Sequence, residues 1–215
     1  MLHKEPHIIS AETFLLIQQL QALPDLHGFH LVGGTALALQ LGHRNSIDID
    51  LFTQNDFNSQ SLGTFLKTKF LVRVDYAGSN TLLSNINTIK ADFIKHPYAY
   101  VKPPITEEGI TYLSKEDIAA MKLNAIVNSG QRLKDFIDIY FLLEYFSVTG
   151  MLSFFEIKYP GTNPLIALKA VSYFEDIDET ADPPKLVKPL TVKKIKQRIS
   201  NAVTHTSKVF VKEIE

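Results

Sequence analysis

The 215-residue sequence contains no cysteine. Disulfide bonds and thiolate metal sites are therefore excluded, and any metal ion would have to bind to oxygen atoms or imidazole. No apolar run approaches the roughly 20 residues that a membrane-spanning helix needs. The first ten residues, MLHKEPHIIS, do not have the basic segment and apolar core of a secretory leader. We therefore expect a soluble, cytoplasmic protein with no membrane partner.

The sequence also has no large excess of charge. Its 22 basic and 23 acidic residues give a formal net charge of -1, which does not indicate a general nucleic-acid binder. Basic residues are concentrated after position 185, which is more typical of a solvated charged helix than of a phosphate-binding tail. With 45% hydrophobic and 21% charged residues, the chain is expected to fold into one large domain or two small ones.

The stretch at 30–53, HLVGGTALALQLGHRNSIDIDLFT, is the most informative part of the chain. It predicts a strand at 30–32, a turn at Gly33 and Gly34, a helix at 35–41 and a second strand that carries two aspartates. Glycines between a strand and a helix allow backbone N–H groups to approach phosphate oxygens, and the helix adds its positive end. A glycine pair is more often only a turn, so this feature alone decides nothing.

Asp48 and Asp50 are two residues apart in the predicted second strand. Their side chains should project from one face, with Cα atoms roughly 6 to 7 Å apart. Ile47, Ile49 and Leu51 should form the opposite, apolar face. Two neighbouring carboxylates repel each other and favour a cation between them, although many such pairs are merely structural.

Asp92 lies in a later predicted strand, 88–96, within TIKADFI. Ile89, Ala91 and Phe93 should share one face, with Lys90 and Asp92 on the other. A charge in an apolar strand is costly unless it is paired or bound to metal. Asp92 is therefore the candidate third carboxylate.

These features together favour metal-dependent nucleotidyl transfer. Two aspartates can bridge two Mg²⁺ ions about 3.5 to 4 Å apart, which activate an attacking hydroxyl and neutralise a departing pyrophosphate. The glycine turn would bind the phosphates of the substrate. The combination is more specific than any of its parts.

The remaining sequence predicts a further set of elements. Helices are expected at 10–23, 56–69, 114–126, 132–146, 151–158, 164–174 and 191–203, and extended segments at 71–76, 81–87 and 110–113. Ser10 and Ser114 are the expected N-caps of the helices that begin at these two residues. A proline-bearing loop is expected at Pro183 and Pro184.

Five blocks of the sequence resemble the AbiEii/AbiGii toxin family, within the DNA polymerase β-type nucleotidyltransferases. The blocks are GGTALALQLGHRNSIDIDLF, KADFIKHPY, LSKEDIAAMKLNAI, RLKDFIDIYFLL and KYPGTNPLIALKAVSYFEDID. The resemblance implies an α+β nucleotidyltransferase fold, with a mixed sheet flanked by helices in residues 1–113. A helical domain in residues 114–215 would complete the active-site cleft. The implied substrate is a nucleoside triphosphate, and the implied cofactor is Mg²⁺ or Mn²⁺.

The resemblance also assigns roles to the residues of the glycine turn and the aspartates. Gly33, Gly34 and Thr35 would hold the triphosphate. Asp48 and Asp50 would bind metal. Asp92 would complete the metal site or take a proton from the acceptor hydroxyl.

Four more residues are candidate nucleotide contacts. Lys122 and Asp138 match polar positions that face the nucleotide in the family, although Lys122 would otherwise be an ordinary solvated lysine. Arg44 could clamp a phosphate or pair with a carboxylate. Lys134 could contact the nucleotide or join a surface charge network with neighbouring residues.

The partners follow from the resemblance. Some family members are the toxin of a toxin–antitoxin pair, and some transfer nucleotides to the 3′ end of tRNA. We therefore expect a nucleoside triphosphate as substrate, with tRNA or another RNA as acceptor and a cognate antitoxin protein as partner. The alternatives are a protein or small-molecule acceptor, or a nucleotide-binding module without turnover.

Overall fold

The computed structural model describes residues 1–180 and 185–212, so the loop predicted at Pro183 and Pro184 lies outside the described residues. The chain divides into two compact units. Unit 1 contains Met1–Tyr98 and Pro104–Leu113, and unit 2 contains Ala99–Pro103 and Ser114–Glu215. No helix in the described ranges combines the length and the apolar character that crossing a membrane requires.

Unit 1 is built on a mixed seven-stranded sheet with the order β3-β4-β5-β2-β1-β7-β6. The central pair β2–β5 is parallel, as is β1–β7, and the other pairs are antiparallel. The strands are β1 His30–Leu31, β2 Ile49–Thr53, β3 Val72–Gly78, β4 Thr81–Ile86, β5 Ile89–Lys95, β6 Ile105–Glu107 and β7 Ile110–Tyr112. The helices of unit 1 are α1 Ala11–Gln21, α2 Gly33–Leu41 and α3 Ser59–Lys67, with a short 3₁₀ helix at Pro24–Leu26.

The local chemistry of the chain explains where these elements begin. Ser10 caps α1 by accepting a hydrogen bond from the N–H of Thr13, as the sequence predicts. Residues of β2 alternate between buried and half-buried, so the strand has one core face and one partly open face. Ile49 and Leu51 are fully buried on the core face, which fixes the register of the strand.

The predicted α+β class is confirmed, with three differences in detail. Helix α2 begins at Gly33, so the glycine pair forms the first turn of the helix rather than a turn before it. Asp48 immediately precedes β2 rather than lying within it, and Ile47 is 58% exposed instead of contributing to the core. Strand β6 was not predicted, because its three residues carry no alternating apolar pattern.

The regular structure of unit 2 in its described residues is mainly helical. Its helices are α4 Lys115–Asn128, α5 Leu133–Leu142, α6 Val148–Lys158, α7 Pro164–Val171 and α8 Val192–Thr204. Ser114 caps α4 by accepting a hydrogen bond from the N–H of Asp117, which confirms the predicted start.

A buried ion pair lies at the beginning of α4. Lys158 and Asp117 both have fully buried side chains, and the Lys158 Nζ lies 2.8 Å from Oδ1 of Asp117. The same carboxylate accepts hydrogen bonds from the hydroxyl of Ser114 and from the N–H groups of Val101 and Lys102. Asp117 therefore fastens the segment 99–103 to the start of α4.

Candidate active site

The sheet of unit 1 brings two of the predicted aspartates side by side. In the parallel pair β2–β5, Asp50 is the register partner of Asp92. Register partners on neighbouring strands lie about 5 Å apart and present their side chains on the same face. Two residues that are far apart in sequence therefore form one carboxylate pair, held by the backbone ladder. Asp48 is half-buried and lies two residues before Asp50.

The two glycines at the beginning of α2 allow the side chains of Asp50 and Arg44 to approach the helix closely. Gly33 has φ +68, and a Cβ added to it would come within 3.0 Å of Oδ2 of Asp50. A Cβ on Gly34 would come within 3.0 Å of the guanidinium of Arg44, which is only 3% exposed. Glycine is thus required at both positions for Asp50 and Arg44 to approach the first turn of α2.

Thr35 stabilises the segment that leads into β2. Its buried hydroxyl donates a hydrogen bond to the backbone oxygen of Asp48 and lies 2.8 Å from the hydroxyl oxygen of Ser46. This hydroxyl is used within the protein, so Thr35 positions the backbone of Asp48. Its predicted contact with the triphosphate stays a prediction.

Lys90 contacts the aspartate cluster, which the sequence did not predict. Its Nζ lies 3.0 Å from Oδ2 of Asp92. Partial burial opposes the charged form of Lys90, but the hydrogen bond to Asp92 and the charges of Asp92, Asp48 and Asp50 outweigh that effect and raise the pKa of Lys90. The charges of all three aspartates therefore act on Lys90, and Asp92 is the one in direct contact with it. The signal in the sequence was the spacing Lys90-x-Asp92, which places both side chains on one strand face.

The three aspartates have the chemistry of a divalent-cation site, since carboxylate oxygens are the ligands that Mg²⁺ prefers. Oδ1 of Asp92 is buried and has no hydrogen-bond partner among the described residues, and such an oxygen is costly unless a cation or donor compensates it. No group of three or more acidic or histidine side chains in the described ranges forms a preformed metal cage. Carboxylates suit a divalent cation by their chemistry, and the binding of one by Asp48, Asp50 and Asp92 stays a prediction.

The remaining candidates lie in unit 2. The Lys122 Nζ lies 2.6 Å from Oδ1 of Asp135 and 2.7 Å from Oδ2 of Asp138, and all three residues are buried. The alternative that Lys122 is an ordinary solvated lysine is therefore wrong, because α5 packs its acidic first turns against α4. Lys134 is half-buried at the start of α5. Contact of Lys122, Lys134 and Asp138 with a nucleotide stays a prediction.

Comparison with known proteins decides the family. Residues 15–71 and 86–200 match the family described as nucleotidyl transferase AbiEii toxin, type IV TA system. The chain belongs to the AbiEii family. It is accordingly a nucleotidyltransferase, and the resemblance carried by the five sequence blocks is confirmed.

Other proteins resemble this AbiEii-family chain in sequence or in fold. An uncharacterized protein of Aquifex aeolicus strain VF5 is 32% identical over 169 residues, covering 76% of this chain and 82% of the relative. MenT4, a nucleotidyltransferase toxin of Mycobacterium tuberculosis, is 14% identical with a TM-score of 0.58, over 95% of this chain and 86% of that one. An antigenic nucleotidyltransferase-like protein of Paracoccidioides brasiliensis is 16% identical with a TM-score of 0.54, over 95% and 99%. At these identities the two solved structures show a shared fold.

Proposed function

We propose that this AbiEii-family nucleotidyltransferase transfers a nucleoside monophosphate from a nucleoside triphosphate to a hydroxyl at the 3′ end of tRNA. We further propose that it requires Mg²⁺, for which Mn²⁺ can substitute, and that it is the toxin of a toxin–antitoxin pair. The observation that carries the proposed chemistry is the register pairing of Asp50 with Asp92, whose buried Oδ1 lacks a donor among the described residues.

The first turn of α2 would bind the triphosphate. The N–H groups at the beginning of a helix have no partners within the helix and favour an anion. Gly33 and Gly34 have no side chains to cover these groups, and the Asp50 carboxylate and the Arg44 guanidinium lie where a Cβ would be. Arg44, packed against Gly34, would add a guanidinium for a phosphate oxygen.

The transfer itself is an in-line displacement. The acceptor oxygen forms a bond to the α-phosphorus, the bond between that phosphorus and the bridging oxygen breaks, and pyrophosphate leaves with the electron pair. Asp92 would accept the proton of the acceptor hydroxyl, because its Oδ1 has an unused lone pair. Asp48, Asp50 and Asp92 would hold the divalent cation, whose charge offsets the negative charge that develops on the phosphates.

Incubation with each labelled nucleoside triphosphate, Mg²⁺ and total tRNA tests this proposal. We expect label in tRNA with the wild-type protein, and none with Asp48→Ala or Asp50→Ala. Both variants should keep the fold, because the two carboxylates are half-buried and the core face of β2 is unchanged. Normal turnover by either variant would refute the metal assignment.

The same assay distinguishes the acceptors. Label in protein or in a small molecule, with none in tRNA, would refute the tRNA proposal while leaving nucleotidyl transfer intact. Nucleotide binding without label in any acceptor would favour a binding module. The toxin proposal predicts that expression of the wild-type protein arrests bacterial growth, that Asp50→Ala does not, and that a cognate antitoxin restores growth.

A further inference from the structure

Lys90 is positioned to act on the aspartate cluster although it has no role in the transfer described above. It lies two residues before Asp92 in β5, so both side chains are on the face of the sheet that also carries Asp50. The Lys90 side chain is 54% exposed, whereas that of Asp92 is 9% exposed. A partly solvated cation thus contacts a nearly buried carboxylate.

The electrostatics of the cluster favour a cation at this point. Lys90 contacts only Oδ2 of Asp92 at 3.0 Å, while Oδ1 has no hydrogen-bond partner in the described part of the chain. Asp48 and Asp50 also attract Lys90. Three carboxylates in one region repel each other, and the ammonium group reduces that repulsion.

We propose that Lys90 is the resident counter-ion of the aspartate cluster and that a divalent cation must displace it from Asp92 before the site becomes active. This inference rests on the proposed metal role of Asp48, Asp50 and Asp92. One positive charge at Oδ2 of Asp92 is exchanged for a doubly charged ion. Lys90 thereby stabilises the ion-free protein and weakens the apparent affinity for metal.

The exchange is possible because Lys90 is solvated. A pair that is buried on both sides is costly to separate, whereas a partly exposed ammonium group regains water when it leaves. The four-carbon chain of lysine also allows its head group to move without any change in the backbone of β5. The competing interaction is therefore modest in strength.

Mn²⁺ binding tests the proposal without any need for activity. The full chain is titrated with Mn²⁺, and free Mn²⁺ is measured by electron paramagnetic resonance, for the wild type, Lys90→Gln, Asp92→Asn and Lys95→Gln. Lys95 is the matched control, since it lies in the same strand but pairs with Asp56 at 2.7 Å. We expect Lys90→Gln to bind Mn²⁺ about two- to fivefold more tightly, as loss of a partly exposed ion pair allows. Lys95→Gln should match the wild type.

Thermal unfolding supplies a second measurement. With EDTA present, Lys90→Gln should melt below the wild type, and saturating Mn²⁺ should close that gap. Equal or weaker Mn²⁺ binding by Lys90→Gln, with Asp92→Asn still impaired, would overturn the counter-ion proposal alone. If the wild type binds no Mn²⁺, or if Asp92→Asn binds it normally, the metal assignment fails as well.

Discussion

Replacement of Lys158 by methionine should destabilise the protein strongly. Methionine keeps most of the volume of the lysine but leaves the Asp117 carboxylate without its cation, in a place where both side chains are fully buried. Breaking a buried pair in this way costs about 3–5 kcal/mol. Asp117 retains the hydroxyl of Ser114, the N–H groups of Val101 and Lys102, and the positive end of α4. We therefore expect a loss near the lower limit, about 3 kcal/mol.

Urea denaturation followed by circular dichroism measures this loss. In thermal unfolding of a unit of roughly 100 residues, 1 kcal/mol of stability corresponds to about 4–8 °C in melting temperature. The melting temperature of Lys158→Met should therefore be about 12–24 °C lower than that of the wild type. Lys169→Met is the matched control, because Lys169 is an exposed lysine in α7 and its replacement should change the free energy of unfolding by less than about 0.5 kcal/mol.

A double-mutant cycle with Asp117→Asn isolates the interaction between the two side chains. The double variant Lys158→Met/Asp117→Asn should be less destabilised than the sum of the two single variants, because it contains no uncompensated charge. A loss below about 1 kcal/mol for Lys158→Met, or additive single effects, would refute the reasoning.

Two other predictions concern unit 1. Gly33→Ala should lower the free energy of unfolding by about 1–2 kcal/mol because of the left-handed backbone, and should weaken Mn²⁺ binding by displacing Asp50. The control Gly161→Ala, with φ +86 and no neighbour within 4 Å of the added Cβ, should lose similar stability but bind Mn²⁺ as the wild type does. Equal Mn²⁺ binding by both variants would contradict the proposed contact. Burial and the hydrogen bond to Glu107 raise the pKa of Tyr112 to about 12, so this group contributes stability below its unfolded pKa of about 10 that is lost as the pH rises from 10 to 12. Urea unfolding across that range should show a smaller loss for Tyr112→Phe, and identical pH profiles would refute the assignment.

The sequence predicted the elements that depend on local chemistry. Ser10 and Ser114 cap their helices as expected, since a cap requires only a few neighbouring residues. The alternation around Asp92 also predicted its strand face correctly, because a period of two is a property of the strand itself. Such features do not depend on residues that are distant in the sequence.

Features that depend on packing could not be predicted in the same way. Lys122 and Lys158 both look like ordinary helical lysines in the sequence, yet each is buried against an aspartate of another helix. Lys122 of α4 pairs with Asp135 of α5, and Lys158 of α6 pairs with Asp117 of α4. The start of α2 was also placed too late, because glycine is usually a poor helix former and here begins the helix at a close approach to Asp50. In each case a tertiary contact outweighs the local preference.

The division of the chain into two units also determines whether separate fragments of it can fold. Residues Ala99–Pro103 belong to unit 2 although they precede the last two strands of unit 1, so the chain passes between the units three times. A single cleavage between Leu113 and Ser114 would leave the N-terminal fragment with a segment whose hydrogen-bond partner, Asp117, is on the other fragment. The two fragments should therefore fold better together than apart, and reconstitution of a nicked protein is a more suitable route to its parts than expression of either half alone.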